Sequence, residues 1–346
     1  MLTALLSTKV NIPGLQLNPL SRSNLADKII SGLNRKLVLI TAPAGFGKTT
    51  LVISTLKNIN IPIAWLSLEK NDNNVNQFLS YFIEAISKIN PELVKNVKAV
   101  LNSVYQSKSL MQVLINEINN HHGEIIFVLD DYHFLDSSEI NDALSYLLEY
   151  MPANFHLIIT SRNELNFSLS KYRVRNQIIE IKAKELKFSV EEIKNFLSRF
   201  LNLNLSEQDI KKIEAKTEGW IAGIQLVTQA IQEETDKERF INELNGNNTL
   251  IAEYLTDEVL QQLSNEERTF LLQTSVLTKL NSSLCEQITG ITNSNEILMK
   301  ISKANLFLLS IDDKGLWYRY HQLFRDLLFN RLQNNYPEKV ICLHKE

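Results

Sequence analysis

The first half of the chain carries five short apolar runs separated by mixed, helix-like stretches. The runs predict strands over 36–41, 63–68, 124–130, 156–161 and 177–181. Most are apolar at consecutive positions instead of alternating, which is how strands read when helices cover both faces of a parallel sheet. The intervening stretches then serve as β-α-β crossovers, and the fold class is α/β.

Before the first run, Pro13, Gly14 and Pro19 predict an irregular arm. Ser23 is expected to cap a helix carrying Leu25, Ile29, Ile30 and Leu33. After about residue 185 the pattern becomes helical. Ser189 with Glu192 and Ser264 with Glu267 have the spacing of capping boxes. Val190, Ile193, Phe196, Leu197 and Phe200 share one helical face. Ser206 starts another helix, which Thr217-Glu218-Gly219-Trp220 interrupts before an apolar helix to about Ile231. Near the end, a run over 306–311, a turn at Asp312-Asp313-Lys314-Gly315 and a return over 317–320 predict a β-hairpin. A helix with Leu323, Phe324, Leu327, Leu328 and Leu332 on one face follows, so this region looks like a winged helix. The expected organisation is an arm and helix over 1–35, a nucleotide-binding domain over 36–184, a helical lid over 185–248 and a winged-helix domain over 249–340. There is no internal repeat.

Composition changes this picture little. The 346 residues are 44% hydrophobic and 22% charged, ordinary for a globular protein of two or three domains. A net charge of −3 argues against a large nucleic-acid-coating surface. Cys285 and Cys342 make neither a metal pattern nor a disulfide framework. No apolar run is long enough to cross a membrane, and Met-Leu-Thr-Ala-Leu-Leu at the start lacks the charged and long apolar regions of a signal peptide, so a cytoplasmic location is expected.

The chemistry sits at strand tips. Ala42-Pro43-Ala44-Gly45-Phe46-Gly47-Lys48-Thr49 fits a Walker A loop, with Ala42 in place of the first glycine. It follows a strand and opens a helix, whose positive end suits phosphate. Ala44, Gly45, Phe46 and Gly47 are expected to offer backbone amides, Lys48 to reach the β- and γ-phosphates, Thr49 to ligate Mg²⁺ and Thr50 to touch the α-phosphate. Asp130-Asp131 closes five apolar residues as a Walker B element. Asp130 would ligate Mg²⁺ and Asp131 would act as general base on the attacking water. The fourth strand is expected between the first and third, so that Arg162 senses the γ-phosphate. Arg173 and Arg175 follow in a loop, readable either as transition-state stabilisers or as solvated surface.

These residues together resemble the STAND class of signal-transducing ATPases, in the branch of the maltose-regulon activator and the large LuxR-type regulators. The resemblance rests on 42–50, Ala-Trp-Leu-Ser-Leu-Glu at 64–69, Val-Leu-Asp-Asp-Tyr-His at 128–133, Thr-Ser-Arg at 160–162, Thr-Glu-Gly-Trp-Ile-Ala-Gly-Ile-Gln-Leu at 217–226, Ala-Asn-Leu-Phe-Leu at 304–308 and Trp-Tyr-Arg-Tyr-His-Gln-Leu-Phe at 317–324. It implies a P-loop sheet of strand order 5-1-4-3-2 followed by a lid and a winged helix. It also implies an ADP-bound resting monomer, ATP-driven self-association and slow hydrolysis. His321 matches a histidine directed at the ADP β-phosphate, Gly219 and Trp220 match lid residues lining the nucleotide, and Arg22 matches an arm position near the adenine. Gln322 departs from the usual His or Pro, a change expected to be tolerated. The family continues into a superhelical sensor and a DNA-binding helix-turn-helix. Residues 341–346 stand where the sensor would begin, so DNA contact is expected only through a module outside this sequence.

Two other readings compete. A motor or processing ATPase of the AAA+ kind would share the Walker residues but has no use for the Thr-Glu-Gly-Trp lid or the histidine after the hairpin. A nucleotide-binding scaffold without turnover is disfavoured because Lys48, Thr49, Asp130 and Asp131 are all present. No Leu-Ser-Gly-Gly-Gln signature of a transporter ATPase occurs.

Overall fold

The computed structural model describes residues 5–15, 19–101, 107–201, 205–312, 314–338 and 340. The expected sensor start at 341–346, Cys342 and Asp313 lie outside these residues, as does the side chain of Phe200. The chain divides into two compact units, one of residues 1–42 with 48–185 and one of residues 43–47 with 186–346.

The first unit contains helices α1 (Ser23–Gly32), α2 (Lys48–Leu56), α3 (Val75–Ser87), α4 (Lys95–Leu101), α5 (Ser107–Asn120), α6 (Ser138–Tyr150) and α7 (Ser170–Val174). Between them run strands β1 (Leu37–Thr41), β2 (Ile63–Ser67), β3 (Ile125–Asp130), β4 (Phe155–Ser161) and β5 (Ile178–Lys182). All pairings are parallel, in the order β2-β3-β4-β1-β5. This is the expected order 5-1-4-3-2 seen from the other edge. Every residue of β1, β3 and β4 is buried, as the consecutive apolar runs require. Phe127 of β3 stacks on Phe82 of α3 with ring centres 4.0 Å apart, and truncating such a ring costs about 3–5 kcal/mol.

Local signals explain most boundaries. Asn74 caps α3 by accepting from the amides of Asn76 and Gln77. The arm is less irregular than its prolines suggest. It forms a 3₁₀ turn at Ser7–Val10, from which Lys9 bonds the fully buried Asp72 and reaches Glu69 at 3.0 Å. Ser23 is not the cap of α1. Arg22 occupies that position without a side-chain cap bond, because the helix begins one residue earlier than the serine rule places it.

A short α8 (Ala183–Leu186) crosses the division. The second unit holds α9 (Val190–Leu201), α10 (Glu207–Thr217), α11 (Ile221–Glu233), α12 (Lys237–Glu243), α13 (Thr249–Glu258), α14 (Asn265–Thr274), α15 (Ser282–Thr289), α16 (Ser294–Lys303) and α17 (Gln322–Asn335), with a β6–β7 hairpin (Leu308–Ser310, Tyr318–Tyr320). Both expected capping boxes form. The Ser189 and Ser264 amides donate to the carboxylates of Glu192 and Glu267, whose own amides return the bond to the serine hydroxyls. The hairpin is antiparallel, but its first strand is shorter than 306–311. Asn305 and Phe307 have φ of 49° and 57°, which no strand accommodates. Asp312 supports the turn by accepting from the amides of Leu316 and Trp317. All five residues of the apolar face of α17 are buried.

Candidate functional site

The register of the sheet places the chemistry of the first unit. Because β4 lies between β1 and β3, the tips of those three strands are neighbours. Ala42, just after β1, donates its amide to Ser161 at the end of β4. Lys48, the first residue of α2, is buried, and its ammonium donates to the Ala42 carbonyl at 2.9 Å. Thr49, one residue on, donates its hydroxyl to Asp130 Oδ1 at 2.9 Å. The helix start and the tip of β3 thus bring the expected Mg²⁺ ligands together.

Asp130 has a second partner that motif reading missed. Thr160 Oγ1 donates to its Oδ1 at 2.6 Å and itself accepts the amide of Asp131 at 3.0 Å. Burial and the charge of Asp131 raise the Asp130 carboxyl to about 6, and the two hydroxyls and Lys48 only partly offset this. Asp131 sits in the left-handed region with φ 59°, with a side chain 40% exposed. His133 lies 3.6 Å from it and is buried, held down to about 3 by that burial and by the charges of Arg162 and Lys48.

The group fits magnesium chemically. Thr49 and Asp130 supply oxygen alone, and Mg²⁺ takes one or two protein ligands with the remainder from water and phosphate. Among the described residues no cluster of three or more His, Cys, Asp or Glu would hold a metal unaided. Thr50 is exposed. Arg22 donates to the Glu185 carbonyl at 3.3 Å. Arg173 is not in a loop: it lies on α7 and forms a two-pronged bond to Glu180, while Arg175 is the exposed residue that ends that helix.

The second unit holds the loop itself. Trp220 Nε1 donates to the Ala44 carbonyl and the Ala222 amide donates to the Gly45 carbonyl, each at 3.0 Å. Gly45 has φ 72°, and a Cβ there would lie 2.5 Å from Ala222 Cβ and 2.8 Å from Trp220 Nε1 and Tyr254 Oη. A side chain at that position therefore meets both strain and collision. Phe46 is buried.

Thr217-Glu218-Gly219-Trp220 interrupts the helices as expected. Glu218 and Gly219 turn left-handed at φ 49° and 73°, ending α10, and Trp220 then caps α11 with its indole fully buried. A Cβ on Gly219 would meet the Phe188 carbonyl oxygen at 2.6 Å. Glu218 accepts both prongs of Arg319 at 2.7 Å and the Gln322 amide at 3.0 Å. Burial opposes its charge, but these bonds win and hold its carboxyl down to about 2.

His321 caps α17 and is 2% exposed. Its Nε2 lies 2.9 Å from the Thr217 carbonyl, and its Nδ1 has no hydrogen-bond partner among the described residues. Burial lowers its pKa to about 4, although the Glu218 charge pulls it up. The ring is neutral at pH 7. Because a carbonyl only accepts, Nε2 carries the proton and Nδ1 presents a lone pair.

Comparison with known proteins gives the same picture. Residues 256–340 match the MalT winged helix domain. The chain is 33% identical over 345 residues to the HTH-type transcriptional regulator MalT of Klebsiella pneumoniae, 99% of this chain and 38% of that protein. It is 31% identical over 330 residues to the serine/threonine-protein kinase PknK of Mycobacterium tuberculosis, 94% of this chain and 30% of that one. The chain thus spans less than two-fifths of the length of either relative. In fold it is similar to the Walker-type ATPase PABY2304 of Pyrococcus abyssi, with a TM-score of 0.60 at 16% identity over 89% of this chain and 95% of that one. Motifs, sheet order and hairpin therefore converge on a P-loop fold followed by a region that matches the MalT winged helix domain, similar along almost the whole of this chain to part of the regulator MalT.

Proposed function

We propose that the chain is the nucleotide-dependent switch of a cytoplasmic transcription regulator, holding ADP at rest and self-associating when ATP with Mg²⁺ replaces it. The observation that supports this reading most is the pair of bonds from Trp220 and Ala222 to the carbonyls of Ala44 and Gly45. A phosphate loop gripped by lid residues is suited to sensing which nucleotide it holds.

The roles proposed are as follows. Backbone amides of 44–47 and Lys48 receive the phosphates, with Thr50 beside them. Thr49 and Asp130 would hold Mg²⁺, which would supply charge neutralisation to the bound phosphates. Asp131, more exposed than Asp130, takes the proton of the attacking water, and Arg162 senses the γ-phosphate. Gly219, Trp220 and Arg22 complete the surroundings of the nucleoside. His321 contributes to ADP retention through Nδ1. Contact with a phosphate oxygen there requires a proton, and a nearby anion raises the histidine's affinity for one. Slow hydrolysis, not work, resets the switch. The domains that carry these roles are the nucleotide-binding domain to 184, the lid to 248 and the winged helix to 340.

The test is the nucleotide that co-purifies with the chain, together with two variants. Tightly held ADP is expected in the wild type. Lys48→Ala is expected to lose nucleotide binding by at least about 100-fold, and His321→Ala to lose ADP retention more than ATP binding. An empty site with rapid phosphate release would favour a motor ATPase. Equal losses of both nucleotides in His321→Ala would remove the histidine from the switch.

A further inference from the structure

A second candidate site lies wholly within the winged-helix region, on residues that the nucleotide site does not use. A cavity of about 140 Å³ is lined by Thr256, Leu260, Arg268, Leu272 and Arg331, together with Gln261 and Asn335. The volume is close to that of an engineered apolar cavity that accepts benzene.

Its two arginines are unusual. Arg331, from α17, is partly buried, and burial alone lowers its pKa, with no carboxylate raising it. Its guanidinium donates to the Thr256 hydroxyl. Arg268, from α14, donates Nε to the Leu260 carbonyl at 2.7 Å and Nη2 to the Gln261 carbonyl at 3.1 Å. Among the described residues neither guanidinium has an ion pair. Asp257 is bonded to Gln261 Nε2. A charge drawn partly out of water gains from an opposite charge, and here two half-buried cations face one cavity with neutral hydrogen-bond partners only.

We infer that this cavity binds a small organic carboxylate, with its apolar body against Leu260 and Leu272 and its charged head between Arg268 and Arg331. The planar fork of a guanidinium matches a carboxylate in two-pronged geometry. The apolar walls favour a carboxylate on a ring or branched chain over inorganic phosphate, which would leave them uncovered.

The experiment is titration of the full chain with sodium benzoate, read by saturation-transfer NMR on the benzoate ring. Saturable binding at about millimolar concentration is expected, at least tenfold weaker in Arg331→Gln and in Arg268→Gln. Benzyl alcohol should not bind, and equimolar inorganic phosphate should not displace benzoate. The melting temperature of ligand-free Arg331→Gln should stay level or rise, because an unpaired charge has been removed. If that variant fails to fold, the guanidinium is structural and the inference falls. It also falls if benzoate binding survives both substitutions, if benzyl alcohol binds equally, or if phosphate competes equally. Tighter binding of N-acetylglutamate amide than of benzoate would identify the ligand as a protein side chain and overturn it too.

Discussion

Asp130 and Glu218 are both largely buried carboxylates beside cations, yet their chemistry runs in opposite directions. Asp130 is pushed up to about 6 and Glu218 is drawn down to about 2. Asp130 is met by two neutral hydroxyls and a neighbouring acid. Glu218 is met by a full guanidinium fork and a backbone amide. One carboxylate has been left wanting a cation and the other has been satisfied by the fold itself. Burial does not mark a functional acid. What its partners leave unneutralised does.

This contrast can be broken in several places. The largest effect is expected at Asp130→Asn, which removes the proposed Mg²⁺ ligand. Phosphate release should fall by about 100-fold or more, and a rate near wild type would reduce Asp130 to a structural residue. Next comes Glu218→Gln, which leaves Arg319 with a neutral partner at a 38% exposed site. A loss of about 2 kcal/mol in urea unfolding is expected after allowance for solvent screening. The sign with pH is fixed. A depressed carboxyl stabilises above its ordinary pKa, so this difference should be present above about pH 4.5 and disappear as pH falls towards 2.

Asp130 should also lose its effect on acidification, but in a window several pH units higher. Mg²⁺ requires its ionised form, so Mg²⁺ affinity should drop by about tenfold between pH 7 and pH 5 as the group protonates through about 6. Isothermal titration at the two values checks this, and a flat profile would show that Asp130 does not set the affinity. The smallest effect belongs to Thr160→Val. It strips one hydroxyl from Asp130 at a cost of about 1 kcal/mol and should move the Mg²⁺ profile to higher pH, which a merely structural threonine would not do.

What the sequence made legible was local. Consecutive apolar residues marked the five strands, serine–glutamate spacing marked two helix starts, and glycine spacing marked the phosphate loop. The Thr49–Asp130 pair was also foreseeable, because each half belongs to a motif. Thr160 was not, since the expected place of β4 beside β3 does not say that its hydroxyl points at the neighbouring strand's carboxylate. The Glu218–Arg319 bond joins residues 101 positions apart, and no periodicity announces such a pair. Where simple rules failed, backbone conformation was the cause. Asn305 and Phe307 turn left-handed inside an apolar run that reads as strand.

Trp220 has one more consequence. Of the three tryptophans, it and Trp65 are almost wholly buried, and Trp317 is 38% exposed. Only Trp220 donates its indole N–H to a loop that the nucleotide phosphates would touch. Its emission is therefore a built-in optical gauge of that hydrogen bond. With Trp65 and Trp317 replaced by phenylalanine, the colour of the remaining fluorescence would report in real time whether the phosphate loop is held or released, without any label attached to the protein.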